Sequence, residues 1–358
     1  MEIILAVDSF KGCLASDEIE KTLSSVFTEN GYDVTAFPMS DGGDGMLEAF
    51  TSALGGHRVS VHVHDPLMRQ TDAEFGITPD GTAIIETARA CGLSLMSPDE
   101  RNPFASTSYG VGELVFAAMR KGCRCFLIGL GGSGTSDSGE GMLRALAEKV
   151  VPGGDIYALP SSETGRCRFV LASDVRNPLC GPEGAAYVFA PQKGAGSDVL
   201  PLLDERARAF ASVSAERLGY DMSMRSGAGA AGGLGYAFMQ FLGAEIRSGA
   251  DLLLDILDFD SKLANAGLVI TGEGSADAQT LMGKLPERVL RRCRQASVPV
   301  WMIAGRVENR ETLLEGGFSK VFCINPPGLP ADIAVRPETA VSNLRHWAEG
   351  VIPLSGRF

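Results

Sequence analysis

Short, almost wholly apolar runs punctuate the chain at residues 3–7, 34–37, 125–130, 169–172, 268–270, 300–304 and 320–324. They do not alternate apolar with polar, which is the pattern of strands buried on both faces. Between them lie segments whose apolar positions recur at helical spacing: 16–27, 45–54, 108–121, 139–149, 202–218, 286–295 and 338–350. Strand, glycine-containing loop, helix, strand is the order of a parallel α/β layer structure.

One stretch breaks this rhythm. Residues 57–64, 71–78 and 82–89 read as three strands with turn signals between them, Asp65-Pro66 and Pro79-Asp80-Gly81, and no helix. Strands joined so closely pair antiparallel. The later third returns to strand–helix alternation, so this stretch opens a second domain inserted into the first. At roughly 100–200 residues per domain, 358 residues also predict two. The expected fold is therefore α/β, with a discontinuous parallel-sheet domain over 1–56 and 266–358 and an inserted mixed α/β domain over 57–265.

Composition narrows the function. The chain is 45% hydrophobic, enough for ordered cores, and its net charge of −12 gives no basic footprint for nucleic acid or an anionic membrane surface. Unbroken apolar runs such as 114–119 fall far short of the roughly 20 residues that span a bilayer. A charged residue and a strand stand at the very start, where a signal peptide would need an apolar stretch, so the expected location is the cytoplasm. Eight cysteines form no CxxC pair and read as scattered reduced thiols. His62 and His64 share a strand face without a third ligand at matching spacing and read as solvated strand residues.

The 44 glycines cluster in polar loops that follow the apolar runs, where α/β sheets bind ligands. Asp8-Ser9-Phe10-Lys11-Gly12 follows the first strand; its lysine can pair with a phosphate or carboxylate. In Ser40-Asp41-Gly42-Gly43-Asp44-Gly45 the carboxylates suit a divalent cation as well as a helix N-cap. Residues 129–139 contain Gly129, Gly131 and Gly134 in G-x-G-x-x-G spacing, which keeps a dinucleotide fold open. The same loop carries Ser133, Thr135, Ser136 and Asp137, more hydroxyl groups than that fingerprint needs. A second match, Gly227 to Gly232, follows no strand and reads as close packing. Residues 173–178, with Asp174 and Asn177, and 191–194, with Gln192 and Lys193, are polar ends of apparent strands (the latter after 187–190), either site or solvated turn. Ser106, Thr107 and Ser108 precede a helix, where capping explains them as well as catalysis does. Residues 271–284 carry Gly272, Glu273, Gly274, Asp277, Gln279, Thr280 and Lys284, a set suited to phosphate and cation handling. Gly283-Lys284-Leu285 is not a Walker A ending. Seven such loops together describe a polar site with lysines, carboxylates and anion-binding turns, which is what phosphoryl transfer requires.

As an ordered set these loops resemble the bacterial glycerate kinases of the type-1 family. The resemblance rests on Asp8-Ser9-Phe10-Lys11-Gly12, Ser40-Asp41-Gly42-Gly43, Ser108-Tyr109-Gly110, Gly129-Leu130-Gly131-Gly132-Ser133, Asn177-Pro178-Leu179-Cys180-Gly181-Pro182, Pro191-Gln192-Lys193-Gly194-Ala195 and Thr271-Gly272-Glu273-Gly274 with Gln279-Thr280 and Gly283-Lys284. It implies two α/β domains around a cleft, one of them Rossmann-like, and ATP-dependent phosphorylation of D-glycerate with Mg²⁺ to 2-phosphoglycerate. The chain departs from the family pattern at 134–139, where Ala-Thr-Asn-Asp-Gly-Gly is usual, and at Asp44, Arg176, Ser275 and Ala278.

On this reading Asp174 is the base near the 2-hydroxyl, and Lys11, Lys193 and Lys284 are the catalytic lysines. The substrate and nucleotide residues are Asp8, Ser9, Gly131, Gly132, Ser133, Thr135, Asp137, Asn177, Gln192, Gly272, Glu273, Gly274, Gln279 and Thr280. Asp41 and Asp277 are the expected Mg²⁺ ligands. The competing readings are a dinucleotide-dependent oxidoreductase acting on a small hydroxy acid, and a non-catalytic binder of small acids. D-glycerate is the expected partner, with no nucleic acid and no membrane, in a monomer or homodimer.

Overall fold

The computed structural model describes residues 2–10, 12–37, 39, 40, 43 and 45–352. Among the described residues the strands are β1 (Glu2–Val7), β2 (Asp33–Ala36), β3 (His57–His64), β4 (Gln70–Ile77), β5 (Thr82–Glu86), β6 (Cys125–Gly129), β7 (Arg168–Ala172), β8 (Glu245–Arg247), β9 (Ala266–Ala276), β10 (Val300–Val307) and β11 (Lys320–Cys323). The chain divides into two compact units, residues 1–41 with 250–358, and residues 42–249.

The first unit holds a five-stranded sheet in the order β11-β10-β9-β1-β2, parallel throughout. Residues 3–7 of β1 are fully buried, as its unbroken apolar run requires. The helix Ser16–Glu29 turns Ile19, Leu23, Val26 and Phe27 inward at helical spacing and packs on the helix Pro337–Val351. The chain proceeds from β1 to β2 on one side and from β9 through β10 to β11 on the other. Strand order therefore reverses between β1 and β9, and a ligand crevice forms outside the carboxyl ends of such strands.

The second unit holds a six-stranded mixed sheet in the order β3-β4-β5-β6-β7-β8. β3, β4 and β5 pair antiparallel, as their turn signals predict, and β5 through β8 run parallel. Phe126 and Phe169 stack at 4.7 Å between centroids, and Phe238 packs on Phe169 at 5.7 Å.

Several features differ from the sequence reading. Residues 187–190 are not a strand, because Ala185–Phe189 is a short helix; a four-residue apolar run fits either state. The helix Leu234–Leu242 has no counterpart in the reading. All nine of its residues are buried, so it offers no polar face to reveal its period. The helix Met46–Ala53, expected with the first domain, packs on β5, β4 and β3, while residues 250–265 group with the first unit.

Candidate functional site

In the first unit a cavity of about 1080 Å³ opens over the carboxyl ends of β1, β9, β10 and β11. Asp8, Ser9, Glu273, Gly274 and Lys284 line it, at the point where strand order reverses. The backbone N–H of Asp8 donates to Gly272 O at 2.9 Å, and Asp8 Oδ1 accepts from the N–H of Ser9 at 2.8 Å. Gly272 is required by the sheet itself: a Cβ there would stand 2.3 Å from the carbonyl oxygen of Ile303 on β10.

Beyond Gly272 the expected residues form one hydrogen-bonded chain. Glu273 Oε2 accepts from Lys284 Nζ at 2.9 Å and Glu273 Oε1 from Thr280 Oγ1 at 2.6 Å. Thr280 Oγ1 in turn accepts from the N–H of Asp277 at 3.0 Å, and Asp277 Oδ1 accepts from the N–H of Gln279 at 2.7 Å. Asp277 thereby caps the turn Ala278–Leu281. Glu273 holds Lys284 at the cavity wall while 40% of that side chain remains exposed. The ammonium can thus meet a ligand anion without leaving its carboxylate.

In the second unit the loop after β6 is held by polar groups from neighbouring segments. Asp137 is 3% exposed. Its Oδ2 accepts from the N–H and Oγ of Ser108 at 2.7 and 2.9 Å, from Gly141 N–H at 3.2 Å and from Thr107 Oγ1 at 3.4 Å. Its Oδ1 accepts from Gly139 N–H at 3.1 Å. Ser106 Oγ donates to Gly134 O at 3.1 Å. The three hydroxyls before the helix Tyr109–Arg120 therefore clamp the glycine-rich loop, and Ser108 makes no side-chain cap to its own helix.

Lys193 is 2% exposed. Its Nζ donates to Ser133 Oγ at 3.0 Å and to Thr135 O at 2.6 Å. Burial pushes its ammonium down to about 8, with the Cys91 thiol and Asp137 acting in the opposite direction. Gly232 is also required here, because a Cβ would lie 2.0 Å from Thr135 O. The loop around Gly227 and Gly232 thus packs directly on the first loop, as the close-packing reading expects.

Of the residues predicted from sequence, Asp8, Ser9, Glu273, Gly274 and Lys284 come together at one cavity. Ser133, Thr135, Asp137 and Lys193 come together in the second unit, but as interior groups: Thr135 is fully buried. Gly132 stands exposed in the same loop with φ +73°, and Gly131 is half-buried beside it. Asp174 is exposed just past the carboxyl end of β7. Asn177 is turned to a structural task, its Nδ2 donating to Glu183 O at 2.8 Å. Gln192 is exposed on the turn Pro191–Lys193. Lys11, Asp41 and Asp44 lie outside the described residues. Among the described residues no three His, Cys, Asp or Glu side chains are grouped to hold a metal ion, and no helix is long and apolar enough to cross a membrane.

The dinucleotide reading of Gly129, Gly131 and Gly134 does not survive. That fingerprint needs its third glycine where the helix opens, against the strand. Here the helix Glu140–Val150 begins six residues after Gly134, beyond a buried loop. Sequence reasoning also missed the cavity's far wall, residues 324–335. The signal available was Asn325-Pro326-Pro327-Gly328, a Pro/Gly loop just after the apolar run 320–324.

The model of the glycerate kinase family matches residues 3–355. The chain is 39% identical over 357 residues to the glycerate kinase of Bacillus subtilis (strain 168), covering 93% of each protein. It is 36% identical over 346 residues to the glycerate 2-kinase of Escherichia coli (strain K12), covering 90% of each. Among solved structures, a candidate glycerate kinase 2 from Salmonella typhimurium LT2 superposes with a TM-score of 0.82 at 36% identity, covering 99% of this chain and 98% of that one.

Proposed function

The chain belongs to the glycerate kinase family, and from that premise we propose that it transfers the terminal phosphoryl group of ATP to the 2-hydroxyl of D-glycerate, giving 2-phosphoglycerate. The observation that carries this reading is the family match from residue 3 to residue 355. The geometry supports it: the first unit sets Asp8, Ser9 and Lys284 around a cavity at the strand-order reversal, a position suited to a nucleotide.

In the proposed reaction the 2-hydroxyl oxygen attacks the γ-phosphorus as its proton passes to Asp174. The bond from that phosphorus to the β,γ-bridging oxygen breaks, and ADP leaves. Lys284, already held by Glu273, balances charge on the phosphates. Either Lys11 or the exposed part of the 131–133 loop receives the glycerate carboxylate. Asp137 and Lys193 act as positioning residues, since their polar atoms are engaged with the loop they hold.

Mg²⁺ takes oxygen ligands and needs only one or two carboxylates beside phosphates and water. Asp8 lines the cavity with an oxygen donor of that kind, so the residues present fit the ion, with Asp41 and Asp277 as further donors. When bound, the ion would neutralise phosphate charge.

The test is an assay with MgATP and D-glycerate coupled through enolase and pyruvate kinase, without phosphoglycerate mutase. A signal is expected, because enolase consumes 2-phosphoglycerate directly. ATP consumption that gives 3-phosphoglycerate, or none from folded protein, would overturn the reading.

A further inference from the structure

The cavity of the first unit changes character along its length. Over β1 and β9 its wall carries Asp8, Ser9, Glu273 and Lys284. Beyond β11 the wall is formed by Ile324, Pro326, Pro327, Leu329, Ala334 and Val335. Val335 is 53% exposed, a large apolar side chain left at the rim of a cavity. Asn325, the amide in this wall, has its side chain committed: Nδ2 donates to Gly305 O at 2.7 Å, and Oδ1 accepts from Asn343 Nδ2 at 2.8 Å. This end therefore offers shape and apolar surface, whereas the opposite end offers charge.

Three strand spacings of roughly 4.8 Å separate β1 from β11 in this sheet, about 14 Å in all. That is the reach of a nucleoside triphosphate from its terminal phosphate to its base. Ligand sites commonly pair an apolar body with a few placed polar groups, and the two ends here match the two ends of such a molecule.

We propose that the apolar wall at residues 324–335 receives the purine base of the phosphoryl donor, with ribose and phosphates running along the strand ends toward Asp8 and Lys284. The inference rests on ATP being the donor. It names residues outside every motif that carries the resemblance to the family.

Two cysteines provide a readout that needs no turnover. Cys323 is exposed and lines this cavity at the end of β11. Cys125, the first residue of β6, is equally a free and exposed thiol, but it lies in the other unit. Maleimide labelling of the full chain, mapped by mass spectrometry, should show MgATP slowing alkylation of Cys323 at least tenfold while Cys125 is unaffected. Adenosine alone should protect Cys323, and inorganic tripolyphosphate should not. Protection by tripolyphosphate with none from adenosine, or equal rates at Cys323 with and without MgATP, would overturn the proposal.

The second arm is Val335→Asp, a change at an exposed position that the fold tolerates. KM for ATP should rise at least tenfold, with KM for D-glycerate and kcat at saturating ATP retained; an unchanged KM for ATP counts against the base site. A chain that did not phosphorylate glycerate would fail the coupled assay while the alkylation pattern still decided where the base binds.

Discussion

Lys193 Nζ donates to Ser133 Oγ at 3.0 Å across sixty residues of sequence. A second bond, to Thr135 O at 2.6 Å, fixes the same loop. Lys193 is 2% exposed, and these contacts tie the turn Pro191–Lys193 to the loop that follows β6. Lys193, read from sequence as a catalytic lysine, has its ammonium engaged with the loop beside it.

Lys193→Met removes that tether and a buried charge together. The lost bonds cost about 1–3 kcal/mol, and the relieved desolvation offsets part of that. The expected outcome is a melting temperature within a few degrees of wild type and a kcat at least 100-fold lower, read by thermal melts and steady-state kinetics. Its folded-state pKa of about 8 lies below the roughly 10.4 of an unfolded lysine. Between those values the unfolded chain binds the extra proton, so this residue makes the protein more stable as pH rises through the window. Lys193→Met should flatten that rise.

Asp137 gives the opposite balance. It accepts five hydrogen bonds while almost fully buried, three of them from backbone N–H groups. Asp137→Ala should lose about 3 kcal/mol or more of stability in urea unfolding. A loss below about 1 kcal/mol would show that water replaces the carboxylate and that the loop holds without it.

Much of this was legible beforehand, for physical reasons that particular residues show. The strand at residues 3–7 announces itself because burial on both faces leaves no polar position in it. The polar loops are visible because glycine and hydroxyl residues punctuate sequence sharply. Direction is what local spacing does not encode. Thr135 and Asp137 carry the same signature whether they face a ligand or the interior, and their orientation is decided by Ser108, 29 residues upstream of Asp137, and by Lys193, far downstream. Residues 324–335 pass unnoticed for the converse reason: an apolar Pro-Pro-Gly wall carries no reactive side chain.

Asp174 separates the chemistry from the scaffold. It is exposed just past β7, so Asp174→Asn should leave stability within about 0.5 kcal/mol. As the proposed base it should lower kcat by about 100-fold or more, since general-base catalysis contributes roughly 10²–10⁴, with KM for ATP little changed. Retained turnover in a folded variant would remove it from the base role.

Lys284 and Glu273 give a third kinetic contrast. Their 2.9 Å ion pair is partly exposed, so breaking it costs little stability, about 1 kcal/mol or less. Lys284→Met should nevertheless lower kcat/KM for ATP by about 100-fold, because a positive charge is lost where the phosphates are proposed to lie. Unaltered kinetics with ATP would mean the ammonium serves the loop alone.

Glu20 supplies the pH dependence that belongs to the fold rather than to the site. It is 1% exposed on the helix Ser16–Glu29, where its Oε1 accepts from the N–H of Val7 at 3.3 Å and its Oε2 has no hydrogen-bond partner among the described residues. Burial holds its pKa well above that of a free glutamate, with the Val7 bond acting the other way. The folded chain therefore keeps a proton that the unfolded chain releases above the ordinary glutamate range, near 4.3. The number of bound protons is then larger in the folded state, and stability falls as pH rises from that value toward the folded-state pKa. Glu20→Gln keeps an acceptor for Val7 and can never ionise. The variant should match wild type near pH 4 and exceed it increasingly as pH rises above the ordinary glutamate range in urea unfolding. A gap that stays constant across that range would mean that Glu20 titrates alike in both states and that its burial carries no proton linkage.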